Sequence, residues 1–149
     1  MTNERALHER IKARGVILQA LYEIDCADHD VEDVLNHTLT ALDFSDENKL
    51  FIKTIVRGIR KNIYAIDDEI SKYAPAWPID QIALVDRNIL RIAAFEMLYQ
   101  KDVPSGVIIN EAVELAKAFG ADNAPRFING VLSSMNLAVK ENEGNKNNG

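Results

Sequence analysis

Apolar residues recur along this chain at spacings of three and four, with no stretch of strict alternation, which predicts helices throughout. The densest stretch is Ile82 to Gln100. There Ile82, Val85, Ile89, Ile92 and Ala93 form one stripe, and Leu90, Ala94, Met97 and Leu98 form a second. A surface helix needs one apolar stripe, whereas two imply packing on several sides, so this is the expected central helix. Its length approaches that of a membrane span. Asp86, Arg87, Arg91 and Glu96 exclude that reading, since each charge is costly in hydrocarbon.

The other elements follow in order. A first helix is expected from Asn3 to Cys26 on Leu7, Ile11, Leu18 and Leu21, with Val16, Ala20 and Ile24 thickening the stripe. Asp28-His29-Asp30 breaks the pattern before a short helix from Val31 to Leu42. Ser45 is placed as an N-cap, with Asp46 and Glu47 where the helix dipole favours negative charge. The third helix then runs through Leu50, Phe51, Ile55, Ile59, Ile66 and Ile70 until Pro75-Ala76-Trp77-Pro78 ends it. We place a subdomain boundary there, with Trp77 covering the core where the halves meet. After a turn at Val103-Pro104-Ser105, Ile108, Ala112, Leu115, Ala116 and Phe119 mark a helix that stops at Gly120 as its C′ residue. Asp122-Asn123 offers a cap, and Pro125 suits the first turn of a last helix carrying Phe127, Ile128, Val131, Leu132 and Met135. The expected fold is all-α, with subdomains at residues 1–75 and 76–140. The polar tail, 141–149, is expected to be disordered.

A chain of 149 residues suits one domain or two small subdomains, and needs no covalent staple. The single Cys26 excludes an internal disulfide and fits a reducing, cytoplasmic setting. Met1 to Arg14 is too polar for a signal peptide. The net charge of −6 argues against a generic nucleic-acid binder, but its distribution changes the picture. Arg5, Arg10, Lys12 and Arg14 outnumber Glu4 and Glu9 in the first fourteen residues. Residues 15–48 then hold nine acids and no Lys or Arg. A basic opening joins an acidic stretch.

Catalytic and metal chemistry find little support. Cys26, His29 and His37, with Asp25 and Asp30 nearby, match no closed zinc spacing and lack a fourth soft ligand. No glycine-rich phosphate loop appears, and no serine stands at nucleophile-elbow spacing. Glu111 and Glu114 read as a solvated helix edge, Glu114 beside Lys117. No cofactor is implied, and the expectation is a protein that binds rather than catalyses. Arg10 and Arg14, at i,i+4 with Lys12 and Arg5 nearby, form either a solvated face or a guanidinium set suited to phosphates and base edges.

Four runs carry a resemblance. Arg14-Gly15-Val16-Ile17-Leu18-Gln19-Ala20-Leu21-Tyr22, Val85-Asp86-Arg87-Asn88-Ile89-Leu90-Arg91-Ile92-Ala93, Asn110 to Gly120 (NEAVELAKAFG) and Arg126-Phe127-Ile128-Asn129-Gly130-Val131-Leu132 resemble, in register and in order, the signatures of the NusB family of bacterial transcription antitermination factors. The similarity spans about residues 4 to 138. It implies about seven helices in two subdomains packed across each other, and a protein without catalysis. It further implies binding of boxA RNA as a heterodimer with NusE, a small-subunit ribosomal protein. The complex joins RNA polymerase elongation complexes with other Nus factors, suppresses premature termination in ribosomal RNA operons and aids ribosome assembly. Some relatives form homodimers.

By position, the resemblance implies RNA contacts at Arg5, Arg10, Lys12, Arg14, Tyr22, Arg126 and Phe127, and NusE contacts at Tyr22, Asp80 and Asp86. Single-stranded RNA is read by bases stacked on aromatic or guanidinium planes, which Phe127 and Arg126 can supply. The spacing of Phe127 fits a core position equally well, and Asp86 suits a helix cap as well as a partner rim. Two departures stand out: Glu4 and Glu9 interrupt the basic cluster, and Asn123 stands where many relatives carry an acid. Two rival readings are an RNA-binding module like those of ribosomal RNA methyltransferases, and a helical adaptor that binds only protein.

Overall fold

Helix α1 (Asn3–Ala27) ends where Asp28 takes a positive φ of 53°, and Asp30 starts α2 (Val31–Thr40). The Asp30 carboxylate accepts from the backbone N–H groups of Glu32 and Asp33, at 3.1 and 3.3 Å, satisfying donors that the helix leaves open. Ser45 does the same for α3 (Asp46–Lys61), accepting from the Asn48 N–H at 3.2 Å. The remaining helices are α4 (Ile63–Tyr73), α5 (Leu84–Tyr99), α6 (Ser105–Phe119) and α7 (Ala124–Asn148), with a 3-10 turn at Ile79–Gln81 before α5. The structure, a computed structural model, describes residues 3–148, and among these there is no strand. No helix of the described residues is long and apolar enough to cross a membrane.

The expected third helix is two helices. Asn62 divides them, with its backbone N–H and its side-chain Nδ2 both donating to the Gly58 carbonyl, at 3.0 and 2.8 Å. An amide that competes in this way for a helical carbonyl ends the ladder locally. Ile59, Ile66 and Ile70 are fully buried on either side, so the apolar spacing runs through the break and conceals it. A second difference concerns the tail. Glu141 onward continues as helix to Asn148, with Lys101 Nζ 3.4 Å from the Glu143 carboxylate; Gly149 lies outside the described residues.

Two units emerge, Met1–Ile63 and Tyr64–Gly149. In the first, α1 packs on α2 and α3 around Ile17, Leu21, Leu35, Ile52 and Ile55. In the second, α5, α6 and α7 pack on one another around Ile89, Leu90, Ile108, Ile128 and Leu132. From Asn88 to Met97 every residue of α5 is buried, which accounts for its two apolar stripes.

The division falls ahead of the expected break at Pro75–Pro78, so α4 belongs to the second unit, where an ion pair joins it to α5. Arg91, 7% exposed, donates from Nε to Asp67 Oδ1 at 2.8 Å and from Nη2 to Asp67 Oδ2 at 2.9 Å. Its Nη1 donates to Asn88 Oδ1 at 3.0 Å. This forked geometry is what allows a guanidinium to leave water. Arg91→Ala is expected to cost about 3–5 kcal/mol by leaving the Asp67 charge without its partner. Urea unfolding checks this, and an unchanged midpoint would show that α4 is held by apolar contact alone.

Candidate functional site

The candidate residues fall in both units, and each group is described by itself. In the first unit, Arg5 and Lys12 are exposed on α1, but Arg10 and Arg14 turn toward α3. Arg10 Nε donates to Asn48 Oδ1 at 2.6 Å, its Nη2 lies 3.8 Å from Glu47 Oε1, and its guanidinium sits 3.9 Å above the Phe51 ring. Arg14 lies 5.3 Å from the same ring centre and is only 5% exposed. Both distances are within cation–π range. Phe51 thus serves as a plate on which two cations of α1 rest. Arg14 is a packing residue as well as a charge.

Glu9 belongs to the same network. Its Oε1 accepts from the Ser45 backbone N–H at 2.6 Å and from Asn48 Nδ2 at 3.0 Å. The Asn48 bond, followed by the Ser45 bond, holds the Glu9 carboxyl below its ordinary range. By sequence Glu9 interrupts a basic cluster; in the fold it ties α1 to the start of α3 and fixes the amide that orients Arg10. Tyr22, 45% exposed, stands farther along α1, and the Cys26 thiol bonded beside it pushes its phenol up. Glu23 Oε1 lies 3.3 Å from His29 Nδ1 and 3.4 Å from His37 Nε2. Among the described residues, no group of three or more His, Cys, Asp or Glu is placed to hold a metal ion.

In the second unit, Asp86 and Phe127, distant in sequence, line one cavity of about 200 Å³ with Trp77, Gln81, Ile82 and Asn123. The start of α5 supplies Asp86, the start of α7 supplies Phe127, and the turn before α7 supplies Asn123, whose carbonyl accepts the Phe127 N–H at 3.2 Å. Phe127 is half-buried, neither a sealed core residue nor a free one. Trp77, expected over the core, is 56% exposed and forms part of this wall. Arg126, beside Phe127, is exposed. Asp80 is exposed on the 3-10 turn, where its backbone carbonyl accepts from Arg87 Nη2 at 3.0 Å.

Asp86 is held under constraint. Its Oδ1 is buried and has no hydrogen-bond partner among the described residues, and burial pushes its carboxyl up. Gly120 explains how the α6 end comes so close. A Cβ there would meet Ala124 Cβ at 2.7 Å, the Ala116 carbonyl at 2.9 Å and Asp86 Oδ1 at 3.0 Å. With φ at −90°, Gly120 is not the left-handed cap that the sequence suggests. It is there for lack of volume.

Residues 11–136 match the model of the NusB family. A transcription antitermination protein NusB from Dehalococcoides mccartyi is 49% identical over 132 residues, 89% of this chain and 92% of its own length. The NusB of Bacillus subtilis is 43% identical over 135 residues, covering 89% and 98%. Among solved structures, T. maritima NusB superposes with a TM-score of 0.78 at 36% identity, over 85% of this chain and 89% of that one. A crystal structure of the antitermination factors NusB and NusE in complex with double-stranded RNA gives 0.78 at 26% identity, covering 87% and 96%.

Two outcomes follow for the cavity. Gly120→Ala is expected to cost about 1–3 kcal/mol by overpacking, read as a lower melting temperature. Because the Asp86 carboxyl titrates higher in the folded chain than its ordinary 3.8, the folded state holds this proton more tightly. Its contribution to stability is therefore favourable below both values and lost as pH rises through the folded one. Asp86→Asn should raise the melting temperature at neutral pH, with the difference closing below pH 3.8. A difference independent of pH would mean that the carboxylate is not desolvated.

Proposed function

The chain belongs to the NusB family, and on that premise we propose that it is an RNA-binding transcription antitermination factor working with NusE on boxA RNA. It acts as a binding protein and not as an enzyme. The observation that carries this reading is that Phe127 and Trp77 line one cavity together with the Asn123 amide. Exposed Arg126 stands next to it for phosphate contact. An unstacked base needs such a combination: a ring to lie on and edge groups to hydrogen-bond. Asn123, where many relatives carry an acid, supports the same reading, since an amide both donates and accepts and adds no repulsion toward phosphate.

In this reading Arg5 and Lys12 are the phosphate contacts of α1. Arg10 is a contact held in place by Asn48 and Phe51, and Arg14 a support for it. Tyr22, Asp80 and Asp86 are the NusE contacts, where carboxylates steer a basic ribosomal protein. The pair then joins the elongation complex with other Nus factors.

Titration of boxA RNA at fixed salt, with and without NusE, is the direct test. NusE is expected to raise the affinity well above that of either protein alone, and no gain would overturn the proposal. Phe127→Ala should weaken RNA binding by about 1–3 kcal/mol with little change in melting temperature. A large loss of stability instead would return Phe127 to the core. Lys12→Ala should make the salt dependence shallower by about 0.7 in log–log slope. Arg14→Ala, by contrast, should lower the melting temperature.

A further inference from the structure

Between α2 and α3 lies a groove of about 340 Å³ that takes no part in the site described above. Lys49, Lys53 and Arg57 stand on successive turns of α3 and face Glu32, Asn36 and Thr40 of α2 across it. Leu35 and Leu39, both buried, form the floor. Four-residue spacing on a helix sets the three cations about 6 Å apart along the axis.

Their partners differ. Arg57 donates from Nε and Nη2 to the two Glu32 oxygens, at 2.8 and 2.9 Å, and this fork holds the Glu32 carboxyl below its usual range. The fork also fixes α2 against α3 at one end of the groove. Lys53 reaches Glu32 only through its field. Among the described residues, neither the Lys49 nor the Lys53 side chain forms a hydrogen bond or an ion pair. Both are partly buried, as expected where lysine stems cover an apolar floor and leave their ammonium groups in water.

We infer that this groove receives the phosphates of RNA flanking the primary contact, with Lys49 and Lys53 as their ligands. The inference rests on the RNA reading of the preceding subsection and extends it to a new surface. Continuity supports it. Lys49 follows Asn48, the residue whose amide holds Arg10 at 2.6 Å, so the cations of α1 and the groove meet at the start of α3. Two ammonium groups one helical turn apart, with leucines below and between them, suit a strand that alternates phosphate with sugar and base. Lysine binds phosphate as a point charge and needs no fixed fork. Of the nine acids in residues 15–48 only Glu32 lines the groove, and Arg57 neutralises it; the others repel a polyanion elsewhere.

The test compares two probes in the presence of NusE: a short boxA RNA, and the same RNA extended at both ends by oligouridine. Extension is expected to tighten binding to the native chain. Lys49→Gln with Lys53→Gln should abolish that gain, lower the salt slope for the long RNA by about 0.7 per lysine, and leave the short RNA unaffected. Lys49→Arg with Lys53→Arg should restore the gain, which separates charge from folding. If the native chain binds the short RNA but extension adds nothing, or the Gln pair keeps the full slope, this inference falls and the RNA reading stands. If the native chain does not bind the short RNA, both fall. A polyglutamate peptide bound by the native chain and lost in the Gln pair, without any gain from RNA extension, assigns the groove to an acidic protein and overturns the inference.

Discussion

A guanidinium removed from water needs a partner of fixed geometry, and Arg91 sets that requirement at the centre of the second unit. It sits on a helix buried on all sides, and Asp67 and Asn88 occupy its donors. Apolar side chains tolerate small slips of one helix along another, because their attraction has no direction. A forked ion pair does not. The register of α4 on α5 is therefore set by one arginine, and the residues that follow α4, Trp77 among them, are placed by that register. In the first unit Asn48, 3% exposed, has a related part: one buried amide engages Glu9 and Arg10 of α1 together.

This division of labour among charges bears on function. Counting charge along α1 suggests four equivalent cations diluted by two acids. In the fold they are not equivalent. Glu9 is a structural acceptor, Arg14 is a buried partner of Phe51, and Arg10 is held on the same ring at one edge of the surface. Arg5 and Lys12 remain exposed. A surface assembled in this way has few exposed charges but holds Arg10 rigidly, so that side chain would need little further ordering to meet an anion.

Much of the helical order was legible in the sequence, because a period near 3.6, the cap at Ser45 and a proline in the first turn of α7 are local signals. Breaks that depend on one side chain were not. Asn62 interrupts a stripe that stays in phase across it, and no count of apolar spacing detects an amide bonding back to Gly58. Gly120 was legible as a helix stop, but not for its physical reason, since crowding by Ala124 and Asp86 arises only after α5, α6 and α7 have packed. For the candidate site, resemblance identified Asp86 and Phe127 separately. That they line one cavity, with Trp77 as a third wall, is a property of packing alone. Phe51 was read as core, and it is; its second role, as the ring beneath two arginines, needed the neighbouring helix.

The buried oxygen of Asp86 has a further consequence. An acceptor already stripped of water and lacking a donor has met its desolvation cost during folding, before anything docks. Because that oxygen is sealed against Gly120, nothing that enters the cavity can relieve the deficit without parting α5 from the end of α6. The deficit therefore belongs to folding and not to binding, and the proton on this carboxyl bears on how firmly the second unit holds together.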